Sequence, residues 1–74
     1  MRKHYGTVGS LACVDVYGAP DNMPTRLTFE VGRTIGEKLF RIRNAQGHLL
    51  SDGYVREEHM QEAHTFMDFL KARA

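Results

Sequence analysis

The fold is decided by the stretch from residue 26 to residue 52, RLTFEVGRTIGEKLFRIRNAQGHLLSD. In its first part Leu27, Phe29 and Val31 alternate with polar residues, as expected for a strand that buries one side. Its second part repeats the same period at Phe40 and Ile42. The strands that these patterns predict span residues 26–33, 38–44 and 48–52.

Two glycine-containing turns separate these strands. Gly32 and Gly36 bracket the first loop. The second turn reads Asn44-Ala45-Gln46-Gly47, in which asparagine suits the first turn position and Gly47 supplies a positive φ. This combination predicts an antiparallel hairpin.

Upstream, residues 7–17 predict a first strand, because apolar side chains alternate there as well. The side expected to face the core holds Val8, Ser10, Ala12, Val14 and Val16. The opposite side holds Leu11, Cys13, Asp15 and Tyr17. Pro20 and Pro24 then interrupt the chain before the next strand begins.

The last third of the chain predicts one amphipathic helix over residues 55–72. Its apolar stripe at helical spacing consists of Met60, Ala63, Phe66, Met67, Leu70 and Ala74. The predicted fold class is therefore α+β, with four antiparallel strands in a meander-like sheet over residues 7–52. The C-terminal helix packs on one face (ββββα), and residues 1–74 form a single domain.

Composition limits the classes of function. The chain has 74 residues, 26% of them charged, and a formal net charge of +1, which excludes a strongly basic nucleic-acid tail and a supercharged disordered segment. Cys13 is the only cysteine, so neither an internal disulfide nor a cysteine-rich zinc site can form. A core this small leaves little stability margin, which makes a homodimer one expected form.

The chain contains no apolar run of the roughly 18–20 residues that span a membrane. Arg2 and Lys3 precede a short apolar stretch, but polar residues interrupt it and it stops at Asp15, unlike a signal peptide. We therefore expect an unprocessed cytoplasmic protein with no membrane partner.

Charge is distributed unevenly along the chain. Residues 1–47 hold seven Lys and Arg against four Asp and Glu, a net of +3, whereas residues 48–74 hold three against five, a net of −2. The sheet is therefore basic and the helix acidic. The side of the sheet away from the helix is expected to expose the following candidate partner-binding residues: Tyr17, Arg26, Thr28, Leu39, Arg41 and Arg43.

Arginine and tyrosine are favoured at interfaces because they combine large contact area with directional polar groups. The predicted function is a small non-enzymatic protein-binding module, of the kind found among accessory or inhibitor proteins of bacteria, phages or mobile elements. Two alternatives are a single-stranded nucleic-acid binder and a self-associating structural protein. The remaining interpretation is an ordinary solvated sheet face.

No pattern in the chain indicates catalysis, a metal or a cofactor. His59 and Glu62, and likewise His64 and Asp68, are spaced to share a ligand on a helix, but neither pair has a third ligand nearby. Cys13 lies within a predicted strand and has no histidine beside it in sequence. We therefore expect no catalytic residues, no metal site, no cofactor and no enzyme activity.

Overall fold

A computed structural model describes residues 2–8, 11–18 and 20–73 of the chain, and the side chains of residues 14–18 and 20–73. The elements in chain order are β1 (Arg2–Val8), β2 (Leu11–Tyr17), β3 (Arg26–Val31), β4 (Glu37–Arg43), β5 (Leu49–Arg56), a 3-10 turn (Glu57–His59) and helix α1 (Gln61–Arg73).

All strands belong to one antiparallel sheet of order β1-β2-β5-β4-β3. Strands β3, β4 and β5 form a meander, and β2 pairs with the far side of β5. The predicted α+β architecture of antiparallel strands followed by one C-terminal helix is confirmed. The N-terminal strand β1 extends this sheet at one edge, and residues 7 and 8, which were predicted to open the first strand, belong to it.

The core lies between one face of the sheet and the helix. Phe40 and Ile42 of β4 are completely buried, and the ring of Phe40 meets the ring of Phe66 edge-on at 6.3 Å. Val14 of β2 joins the same cluster, and Val16 packs against it. The helix contributes its predicted stripe: Ala63, Phe66 and Met67 are buried, and Met60 and Leu70 pack beside them.

The predicted start of the helix at Val55 is wrong. Strand β5 continues to Arg56, and α1 begins only at Gln61 after the 3-10 turn. The physical reason is that Gly53 and Val55 have partners on β4, opposite Phe40 and Lys38, so the ladder extends past the predicted end at Asp52. The apolar side of β5 continues through the buried Val55.

Several predicted side-chain orientations concern side chains outside the described ones. They concern Val8, Ser10, Leu11, Ala12, Cys13 and Ala74.

The hairpin between β4 and β5 has the predicted geometry, with Gly47 at φ +85° and its amide donating to the carbonyl of Asn44 at 3.0 Å. The buried Asn44 side chain connects the end of β4, the turn that follows it and the loop before β3. Its Oδ1 accepts from the amides of Gln46 and His48, and its Nδ2 donates to the carbonyl of Asp21 at 2.6 Å. The loop before β3 is thereby fixed against the hairpin.

Among the described residues, none of the helices has both the length and the apolar character that a bilayer crossing requires.

Candidate functional site: the open face of the sheet

One face of the sheet carries no helix. Because core residues Phe40 and Ile42 point toward α1, the intervening Leu39, Arg41 and Arg43 point away from it. Directly paired residues share a face, so the cross-strand register completes the set. We call this surface the open face; its residues are Asp15, Tyr17, Arg26, Thr28, Glu30, Glu37, Leu39, Arg41, Arg43, Asp52, Tyr54 and Arg56.

The structure places all six sequence-predicted residues on the open face. Arg26 lies opposite Arg43, and Thr28 lies opposite Arg41. Leu39 lies one row further along β4, opposite Glu30 of β3. These residues form one continuous patch on β3 and β4.

Tyr17 is separated from that patch by strand β5. Its hydroxyl donates to Oδ1 of Asp52 at 3.1 Å, and Asp52 in turn lies opposite Arg41. Tyr17 therefore lies beyond β5 from the arginines and is hydrogen-bonded to the carboxylate of Asp52.

Arg26 and Arg43 form a pair of like charges without an ion-pair partner among the described side chains. They face each other directly across the β3–β4 ladder. Among the described side chains, no carboxylate lies within ion-pair distance of either guanidinium. Like charges in this position repel each other, so the pair favours an anionic group placed above it.

Arg41 differs from these two because it has a partner within the chain. Its Nη1 forms an ion pair with Oε2 of Glu30, on the diagonal position of the neighbouring strand. Its charge is therefore largely compensated, and its role on the open face is to hold Glu30 in place.

A second charged group lies at the opposite end of the open face. Arg33 makes a two-pronged contact with the carboxylate of Glu37, through Nε at 3.1 Å and Nη2 at 3.0 Å. The Arg33 backbone amide donates to the same carboxylate. These hydrogen bonds from Arg33 hold the pKa of Glu37 below its usual value.

The same guanidinium lies over an aromatic ring, with its central carbon 3.8 Å from the centroid of Tyr54. Such a cation–π contact fixes both groups. Sequence reasoning missed Tyr54 because the predicted strand ended at Asp52, and it missed Arg33 because a loop residue has no strand periodicity. Asp52 lay at the end of the predicted strand and was not assigned to a face of the sheet. The continued alternation of Ser51, Gly53 and Val55 is the signal that would have placed Tyr54 on this side.

Apolar side chains are exposed beyond both ends of β3 and on the helix side of its last residue, Val31. Val31 is 84% exposed and Ile35 is fully exposed. Met23, in the loop before β3, is about half exposed.

Among the described residues, no three His, Cys, Asp or Glu side chains gather where they would hold a metal ion. Comparison with protein families, with curated proteins and with solved structures finds no match to this chain. The geometry of the open face is therefore the basis for the functional argument.

Proposed function

We propose that this protein is a non-enzymatic binding module that holds an acidic segment of a partner protein on the open face of its sheet. The observation that carries the proposal is the uncompensated pair of Arg26 and Arg43, which face each other across two strands. A partner carboxylate between them gains charge-assisted hydrogen bonds and relieves the repulsion within the pair.

The distribution of charge favours a protein over a nucleic acid. Glu30, Glu37 and Asp52 lie on the same face as the arginines. A nucleic-acid backbone carries a phosphate at every nucleotide and would place some of them against these carboxylates. A protein segment can instead match one or two carboxylates to the arginine pair and place neutral residues elsewhere.

The aromatic side chains support the same choice. Base stacking requires an accessible ring face. One face of the Tyr54 ring is covered by the guanidinium of Arg33, so that face is not available to a base. Leu39 and Tyr54, both half-buried neighbours across β4 and β5, instead provide the apolar contact area that protein interfaces use beside their charged groups.

The test reverses one charge of the pair. Arg43→Glu places a carboxylate opposite Arg26, so the variant should fold at least as stably as the wild type while losing the anion site. The matched control is Lys71→Glu, which makes the same change of charge on the exposed end of α1. Thermal unfolding followed by circular dichroism establishes that both variants are folded.

Each protein then serves as bait in a lysate of the organism that encodes it, and captured proteins are quantified by mass spectrometry. We expect one acidic partner to be enriched by the wild type and by Lys71→Glu, and to be lost with Arg43→Glu. Equal recovery of every protein by the folded Arg43→Glu bait would overturn the proposal.

A second measurement distinguishes the nucleic-acid alternative. Fluorescence anisotropy with labelled single-stranded DNA and RNA, at about 50 mM and 200 mM salt, reports counterion release. We expect no binding at either salt concentration. Binding that collapses at high salt and disappears in Arg43→Glu would replace the proposed protein partner with a nucleic acid.

A further inference from the structure

The two edges of the sheet differ in regularity. At one edge, the β1–β2 ladder is shifted in register at two places. At the other edge, β3 pairs with β4 through six consecutive residues without a shift. Bulges and irregularities protect an edge strand from pairing with another chain, and β3 has none within its ladder to β4.

The backbone hydrogen bonds show which groups of β3 point outward. The amide of Gly32 donates to the carbonyl of Glu37 directly across the ladder, at 3.0 Å. Inward and outward backbone groups alternate along an antiparallel strand. The amides and carbonyls of Leu27, Phe29 and Val31 are therefore directed toward the free edge.

The side chains of the same three residues lie on the helix side of the sheet, and the helix covers them incompletely. Leu27 and Phe29 are only half-buried although they pack against the core, and Val31 is largely exposed. Another strand placed against this edge would cover apolar surface as well as satisfy backbone groups.

We propose that the occupant of this edge is a second copy of the chain, paired antiparallel through β3 about a two-fold axis at Thr28. In a two-fold arrangement, paired residues must lie on the same face of the joined sheet. With Thr28 on the axis, Leu27 pairs with Phe29 of the second copy, and Arg26 pairs with Glu30 of the second copy. The two five-stranded sheets then form one sheet of ten strands.

Charge complementarity selects this register and this occupant. Arg26 has a like charge, Arg43, on its β4 side and no charged neighbour on its free side. Glu30 of the second copy, whose carboxylate is already paired with Arg41 of its own chain, would share that carboxylate with Arg26 across the edge, and the symmetry forms this contact twice. The neighbouring register, with Phe29 on the axis, pairs Thr28 with Glu30 and Arg26 with Gly32. It therefore leaves Arg26 of both copies without an opposite charge.

This inference does not rest on the proposed function, although both use Arg26. Edge pairing leaves the open face accessible and Arg43 available to an anionic group, and it is tested by the oligomeric state and not by partner capture. A charge-exchange experiment tests it. Arg26→Glu and Glu30→Arg, each alone, convert both intermolecular ion pairs into repulsions and should raise the dimer dissociation constant roughly tenfold or more. Sedimentation velocity over a range of protein concentrations measures this constant.

Mixing Arg26→Glu with Glu30→Arg provides the decisive test. The mixture restores opposite charges at both positions, so we expect a heterodimer to form at concentrations where each variant alone is monomeric. Lys71→Glu mixed with Glu58→Arg, two exposed positions away from β3, is the matched control and should behave as the wild type does. A monomeric wild type at millimolar concentration, or a mixture that stays monomeric, would overturn the proposal.

Cross-linking tests the register independently of charge. Thr28 of the two copies would form a non-hydrogen-bonded pair, whose Cα atoms lie roughly 4.5 Å apart, within the range that a disulfide bridges. In a Cys13→Ser background, Thr28→Cys should give a covalent dimer under mild oxidation, whereas Thr65→Cys, exposed on α1, should not. Equal cross-linking by both, or none by Thr28→Cys, contradicts the register.

Discussion

Replacing Asn44 with alanine should remove a large part of the stability of this domain. The side chain makes three hydrogen bonds, two accepted from the amides of Gln46 and His48 and one donated to Asp21. At about 0.5–1.5 kcal/mol for each bond, the loss is about 1.5–4.5 kcal/mol. A domain of 74 residues has a free energy of unfolding of about 4–11 kcal/mol, so the loss is a substantial fraction of the total.

Asn44→Ala tests the contribution of the side chain alone, because alanine can still make the backbone hydrogen bonds of the turn. Urea unfolding followed by circular dichroism is the assay, and with a slope of about 1 kcal/mol per molar urea the midpoint should fall by more than about 1 M. Gln46→Ala, an exposed change in the same turn, is the matched control and should stay within about 0.5 kcal/mol of the wild type. If Asn44→Ala unfolds at the same urea concentration as Gln46→Ala, the bonds to the loop do not stabilise the domain.

Three further substitutions have expected outcomes. Phe40→Ala empties the fully buried centre of the core and should lower the free energy of unfolding by about 3–5 kcal/mol in a urea titration, whereas Phe69→Ala, about half exposed, should cost clearly less. In Gly32→Ala the new Cβ would lie 2.5 Å from the carbonyl oxygen of Glu37, so the ends of β3 and β4 must separate and the melting temperature should fall, at a cost of about 1–3 kcal/mol. The lowered pKa of Glu37 contributes stability that is present above the ordinary value of 4.5 and is lost as the pH falls through the folded-state value. The difference in unfolding free energy between the wild type and Glu37→Gln should therefore shrink below pH 4.5, and a difference independent of pH would show that the contact with Arg33 does not act through charge.

The strands and the helix could be predicted because their apolar residues recur at the period of each element. Phe40 and Ile42 on β4, and Ala63, Phe66 and Met67 on α1, lie where those periods place them. The hairpin was equally predictable, since a positive φ strongly favours glycine, as at Gly47.

The end of β5 could not be predicted with the same accuracy. Val55 fits either the end of a strand or the first turn of a helix, and the choice depends on its pairing with Lys38 of β4. The order of the strands in the sheet likewise could not be predicted from local sequence patterns. The pairing of β2 with β5 places Gly53 between Val14 and Phe40, and that arrangement depends on packing between distant residues.

The open face was predicted in part for the same reason. Alternation along each strand sufficed to put Arg26, Arg41 and Arg43 on one side. Which of them is compensated depends on neighbours across the ladder, such as Glu30 diagonal to Arg41. Only the register of β3 against β4 shows that Arg41 is paired and that Arg26 and Arg43 remain available.

The pairing of β2 with β5 has a consequence for the order in which the chain folds. Ser51 of β5 donates to the carbonyl of Asp15 of β2, 36 residues earlier, whereas β3, β4 and β5 are joined by short turns. Contacts between distant residues close more slowly than local ones, so the meander of residues 26–56 should form before β2 docks on it. At a synthesis rate of about 5–20 residues per second, β2 also waits roughly 2–7 s for β5 to be made. During that interval β2 can pair with β1 but not with β5, and the sheet is completed only once its last strand has been synthesised.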